Sequence, residues 1–230
     1  MDDAPSAPAT RATHGYVRRR ADVVALVVCV VLVIGCAAVA ATGVPGWEAW
    51  IFHRVNDLPD VLYRPMWLAQ FLGLLLLPLA VAVVAAIFRK WRLALALVLL
   101  VPLKLAVEKG VIKQLVVRDR PGTSICHRDL SCLHARDVPV AGQSFPSGHA
   151  VIAFGIAWLV APYLSRRWQV VVFAACALVA FARVYLGAHN PLDVAAGAAA
   201  GVAVASALNL ALAVPARATR GQQASARGTA

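Results

Sequence analysis

From Val23 to Val44 the chain carries no charged side chain. A run of that length matches the roughly 30 Å hydrocarbon core of a bilayer when wound as a helix. In hydrocarbon every backbone N–H and C=O must be satisfied within the chain, so a bundle of helices is the form open to it. The run is too long for the apolar part of a cleaved signal peptide, and reads as an anchoring first span. Further apolar runs repeat the pattern at Met66–Phe88, from Leu93, from Ser147 to Leu164, from Trp168 to Tyr185, and from Pro191 to Val214. Hydrophobic residues make up 61% and charged residues 14%, well away from the balance of a soluble domain. The expected fold is all-α, a polytopic bundle of six transmembrane helices. Residues 1–20 and 215–230 are expected to be polar cytoplasmic tails, with 21–214 as the one folded domain. Between the first two spans, Trp47, Trp50, Ile51, Val55 and Leu58 recur at helical spacing. They predict an amphipathic helix lying in the membrane interface.

Six spans put both termini on one side. Of 22 Lys and Arg residues, twelve fall on that side and ten on the other. Six of the ten crowd together: Lys104, Lys109, Lys113, Arg118, Arg120 and Arg183. Set aside as candidates for a site, they leave Arg54, Arg64, Arg128 and Arg136, and the termini read as cytoplasmic. The net charge of +11 then belongs to topology and anionic lipid headgroups rather than to nucleic acid, for which no motif is present. Gly197 and Gly201 in the last span are read as a close-packing face for another helix. Lys104 and Glu108, four residues apart, are read as a pair on one helix face.

Three segments on the predicted outer side carry polar residues in the midst of apolar sequence. KQLVVRDRP supplies Lys113 and Arg120, FPSGH supplies Ser147, Gly148 and His149, and RVYLGAHNPLD supplies Arg183, His189 and Asp193. Guanidinium forks and an ammonium group suit phosphate oxygens. The free N–H groups of a helix that starts at Ser147–Gly148 bind anions. If the last helix starts at Asn190 or before, His189 and Asp193 share a face. Asp193 then fixes one imidazole nitrogen and frees the other for attack. His149 is placed to act as general acid. Taken singly, each of these has a bland reading: a snorkelling cation, a helix-end histidine, an acidic first turn. Together, ionisable groups from three segments beside a membrane mark a site.

Lys113-x6-Arg120-Pro121, Pro146-Ser147-Gly148-His149 and Arg183-x5-His189-x3-Asp193 resemble, in order, the three signatures of the type 2 phosphatidic acid phosphatase superfamily. The likeness covers roughly residues 45–213. It departs at Ala182, where the family usually has serine. The resemblance implies a metal-independent phosphatase without a cofactor. His189 would be the nucleophile and form a phosphohistidine, Asp193 would orient it, and His149 would protonate the leaving oxygen. Lys113, Arg120, Ser147, Gly148 and Arg183 would hold the phosphate. The implied substrate is a lipid phosphate met at the outer face of a bacterial cell membrane, foremost a polyprenyl diphosphate. Phosphatidate or phosphatidylglycerophosphate is the alternative, and a non-catalytic binder of anionic lipid a further one. In the loop 118–146, Cys126, His127, Cys132 and His134 lack the spacing of common zinc sites. An outward loop is an oxidising place, so a Cys126–Cys132 disulfide is expected there.

Overall fold

The structure, a computed structural model, describes residues 15–127, 129–139 and 141–215. Most of the two expected tails therefore lies outside the described residues. The chain folds as a helical bundle, with α1 at Arg20–Ala40, α2 at Gly46–Asn56, α3 at Tyr63–Ala69 and α4 at Leu77–Ile87. Next come α5 at Trp91–Leu105, π-helical turns at Ala106–Ile112, and short helices α6 at Lys113–Leu115 and α7 at Pro121–Ser124. The long helices α8, Gly148–Val160, α9, Arg166–Tyr185, and α10, Pro191–Leu212, follow. β1, Tyr16–Val17, pairs antiparallel with β2, Val214–Pro215, so the two ends of the described chain meet at one end of the bundle.

Among the described residues three helices, α1, α9 and α10, are long and apolar enough to cross a membrane. A fourth crossing is counted if Asp60–Gly73 and Leu77–Ile87, bent by 63°, form one span. The single straight span expected over Met66–Phe88 is thus two helical pieces broken between Gly73 and Leu77. Gly148–Tyr163 is a shorter apolar helix. Val24, Val27, Val31 and Ile34 of α1 stand exposed, a face that suits lipid and would be a liability in water.

α10 is the centre of the bundle, packed between α1 and α8. A Cβ on Gly197 would lie 2.5 Å from the Ser147 carbonyl oxygen, so only glycine allows α8 to approach. Gly201 does the same against Val151, and the small residues serve packing within the chain. Ala40, Ile112, Phe145, Val151, Ala196 and Ala200 form a core beneath the candidate site. The second core, around Leu97, Leu100, Ile152, Leu159 and Leu208, joins α5, α8 and α10.

α2 forms where its periodicity predicts, with its tryptophans turned outward and a mostly polar stripe turned into the bundle. Trp47 and Trp50 are exposed, whereas Glu48, Phe52 and Asn56 are buried. These three are spaced by four and share one stripe. The polar members bond to other elements. Asn56 donates to the Tyr185 carbonyl at 2.9 Å and accepts from the His134 N–H at 2.8 Å. It ties the long loop to the end of α9.

Candidate active site

α9 stops because Gly187 takes a φ of +81°, where glycine pays no Cβ penalty. The turn this permits brings the N–H groups of Ala188 and His189 onto one acceptor, the carbonyl of Arg183, at 3.1 and 3.2 Å. Two expected site residues are thereby locked together through backbone. α10 starts at Pro191, where the last apolar run begins, so the condition for His189 and Asp193 to share a helical face, a start at Asn190 or before, is not met. Asn190 is its N-cap, and Asp193 completes a capping box by accepting the Asn190 N–H at 2.8 Å. The closeness of His189 and Asp193 therefore comes from the cap and not from a shared helical turn. His189 Nδ1 lies 3.6 Å from Asp193 Oδ2 and has no nearer partner. Nε2 is left as the nitrogen for the cavity. Burial pushes the His189 imidazole down to about 4, against the pull of Asp193 and with help from Arg183 and Arg120.

The FPSGH segment is fixed to the same place by a backbone bond from the Ser147 N–H to the Asp193 carbonyl at 2.8 Å. Ser147 itself is fully buried, its hydroxyl unpartnered, and it stands behind the cavity wall rather than in it. Gly148 and His149 do line the cavity. The KQLVVRDRP segment is stitched to FPSGH by a donor bond from the Ser144 N–H to the Arg118 carbonyl at 2.8 Å and an Asp119–Gln143 bridge. Arg120 donates to the Ala188 carbonyl at 2.9 Å, next to the nucleophile candidate.

Lys113 reaches the cavity by an unusual register. Glu108 pairs with Lys104, four residues before it, and with Lys113, five after it, at 2.9 Å for the latter. Five residues on an α-helix point to different faces, but the i→i+5 bonding of π-helical turns stacks them. The π-helical stretch Ala106–Ile112 is what sets Lys113 beside Glu108.

These elements enclose a cavity of about 510 Å³ lined by His149, His189, Lys113, Arg120, Gly148 and Arg183. All but two of the expected site residues are there. The exceptions are Ser147 and Asp193, which sit behind the wall. Trp67, Phe71, Leu74 and Ile152 line it too.

Sequence reasoning set Arg118 among the crowded cations without a role, and did not single out Glu48, Gln70 or Gly73, which also build this site. Arg118, buried between the motif residues, donates to Glu48 and, at 3.0 Å, to Asp193. Glu48 also accepts the Leu192 N–H at 2.8 Å. Gln70, at the break in the second apolar run, accepts from Arg183. A Cβ on Gly73 would lie 2.7 Å from the His149 Cβ, so the break is also where the backbone comes up against that histidine. A polar residue inside an apolar run was the available signal for Gln70. Ala182 is fully buried among Met66, Tyr185 and Leu186, where its methyl group packs. In the long loop, Cys126 and Cys132 form the expected disulfide with their Cα atoms 5.7 Å apart, which removes both thiols from any zinc reading.

Comparison with known proteins bears on this geometry. A stretch of 63 residues is 42% identical to the bacitracin transport permease protein BcrC of Bacillus licheniformis, covering 26% of this chain and 29% of that protein. The match thus spans under a third of that relative. The crystal structure of LpxE from Aquifex aeolicus has a TM-score of 0.57 at 26% identity, over 69% of this chain and 92% of that one. A transmembrane PAP2-type phosphatidylglycerolphosphate phosphatase from Bacillus subtilis gives 0.61 at 22% identity, over 82% and 94%. That likeness speaks for the fold alone. Residues 67–214 match the PAP2 superfamily and contain all three signatures that converge on the cavity. The chain belongs to the PAP2 superfamily.

Proposed function

We propose that the protein hydrolyses polyprenyl diphosphate at the outer face of a bacterial cell membrane, through a phosphohistidine and without a metal. The bundle crosses the membrane six times with both termini in the cytoplasm. The two remaining crossings are α5 with its π-helical extension and α8. The observation that carries the reading is the cavity itself. Two histidines and the cations Lys113, Arg120 and Arg183 line it together with the apolar side chains of Trp67, Phe71, Leu74 and Ile152. That is a place for a phosphate head on an apolar tail.

In this reading Lys113, Arg120, Arg183 and the N-terminus of α8 at Gly148 hold the terminal phosphate, with Ser147 capping the cradle from behind. Nε2 of His189 attacks phosphorus. The N–P bond forms, the bond from the terminal phosphorus to the bridging oxygen breaks, and His149 gives its proton to that oxygen as the lipid monophosphate departs. An anionic phosphate beside His149 favours the protonated form that this needs. Water then attacks the phosphohistidine, losing its proton to His149, and phosphate leaves. Asp193 holds the imidazole and balances the charge that builds on it. Most of the acceleration comes from positioning and charge stabilisation, as in phosphoryl transfer generally.

The test is phosphate release by purified protein in detergent from a panel of polyprenyl diphosphate, phosphatidate and phosphatidylglycerophosphate. Turnover is expected on the diphosphate, unaffected by EDTA and blocked by vanadate. A faster rate on either glycerolipid would replace the substrate, and release from none would leave a lipid-binding protein.

A further inference from the structure

Lys104 has no role in the cradle described above. It is buried on the cavity wall, outside the three signatures, and its ion-pair partner is Glu108. A lysine–glutamate pair at this depth is a weak source of stability, because desolvation offsets most of the attraction and an apolar pair would serve as well. Its position is specific. A Cβ on Gly148 would lie 3.0 Å from the Lys104 ammonium and 3.0 Å from the Glu108 carboxylate. The pair therefore stands against the first residue of α8, where the helix end attracts anions. Glu108 is placed as an internal counter-ion, an anionic carboxylate held between two lysines beside that helix end.

A single phosphoryl group is already served by Lys113, Arg120, Arg183 and the Gly148 end of α8. Lys104 is one cation more than it needs. We infer that Lys104, across Glu108 from the Lys113 of the cradle, supplies a second anion subsite that takes the non-transferred phosphate of a diphosphate. The inference rests on the reading of the cavity as a phosphatase site and names the residue that would separate diphosphates from monophosphates. Binding there moves the Glu108 carboxylate aside or shares the Lys104 ammonium with it.

The test compares diphosphate and monophosphate on one prenyl tail. Lys104→Gln is expected to lower kcat/KM for the diphosphate by about tenfold to a hundredfold, the loss of one charged hydrogen bond, and for the monophosphate by less than about threefold. Lys104→Arg keeps most of the preference. Equal losses on both substrates, or none on the diphosphate, overturn the inference. Because Lys104→Gln leaves Glu108 with one partner, the neutral pair Lys104→Gln with Glu108→Gln serves as the second variant and must show the same selective loss. A binding arm separates this from the question of catalysis. In the His189→Ala protein, pyrophosphate is expected to bind more tightly than orthophosphate by calorimetry, and Lys104→Gln to abolish the difference. Equal binding of the two anions refutes the subsite, whatever the enzyme turns over.

Discussion

Two buried carboxylate networks sit at opposite ends of the bundle, and they are built differently. At the terminal end, Asp22 of α1 is fully buried and fully supplied. Arg19 donates to both its oxygens at 2.7 Å, Trp158 donates at 2.9 Å and Asn209 at 3.0 Å. It joins α1 to α8 and α10 and leaves neither carboxylate oxygen without a donor, and a single unpartnered buried atom, Ser206 Oγ, lies nearby on α10 among the described residues. At the other end, Glu48, Arg118 and Asp193 join α2, the first signature and α10. Around them lie buried polar atoms without partners: Ser147 Oγ, His189 Nδ1, Arg183 Nε, Asn190 Oδ1 and Arg118 Nε. Unsatisfied buried groups are costly and rare in a settled core. A saturated network is glue. The unsaturated one stands beside the cavity, where the proposed substrate would sit.

The comparison breaks most visibly at the proposed nucleophile. His189→Ala is expected to lower phosphate release by at least about a thousandfold in protein that elutes and melts like wild type. Turnover within tenfold of wild type would remove His189 from the reaction and leave the open end without its function. The next effect is on folding. Arg118→Met strands two buried carboxylates and is expected to cost about 3–5 kcal/mol, read from the shift in thermal or denaturant unfolding in detergent. Adding Glu48→Gln should return part of that loss, since one stranded charge is then gone. If the double variant is no better than the single, the network is not coupled as its contacts indicate.

Asp22→Asn gives a smaller, purely structural effect. It keeps the size of the side chain and removes the charge that Arg19, Trp158 and Asn209 surround. About 1–3 kcal/mol of stability should go, with kcat and KM of the folded enzyme unchanged. A change in kcat would mean that the two ends communicate.

The open end was the more legible one in the sequence. Phosphate chemistry asks for residue types that are rare in apolar sequence, so Lys113, Arg120, His149, Arg183 and His189 stood out against their surroundings. The saturated end left no such mark, since Asp22 beside Arg19 reads as an ordinary first-turn acid. Glu48 and Asn56 were hidden for a related reason. In an amphipathic helix, the burial of tryptophans and the burial of charges give the same period, and only a partner such as Arg118 decides which face turns inward. The π-helical turns that stack Glu108 on Lys113 have no compositional signature at all. Nor does the way the cap at the start of α10 takes over the job assigned to a helical turn. Bundle and chemistry were readable because hydrophobicity and residue type carry them. Register was not, because it is settled by contacts between elements.

The smallest effect expected is an absence. Burial sets the free His189 imidazole at about 4 rather than at the usual 6.5. At pH 5.5 an ordinary histidine would be about nine-tenths protonated and unable to attack, whereas His189 would stay almost wholly neutral. The acid limb of kcat/KM, which reports the free enzyme, should therefore lie near pH 4, and activity between pH 7 and 5.5 should change by less than about twofold on this account. Stability runs the other way over the same interval. The unfolded chain takes up the proton at about 6.5 and the folded chain does not until about 4, so the contribution of this histidine to stability is full above 6.5 and declines as pH falls toward 4. Rates must accordingly be taken before the protein unfolds. An acid limb at 6 to 7 in folded enzyme would mean that water reaches His189 in the resting state. The unpartnered atoms of the open end would then be solvated rather than held for a ligand, and the contrast with Asp22 would lose its meaning.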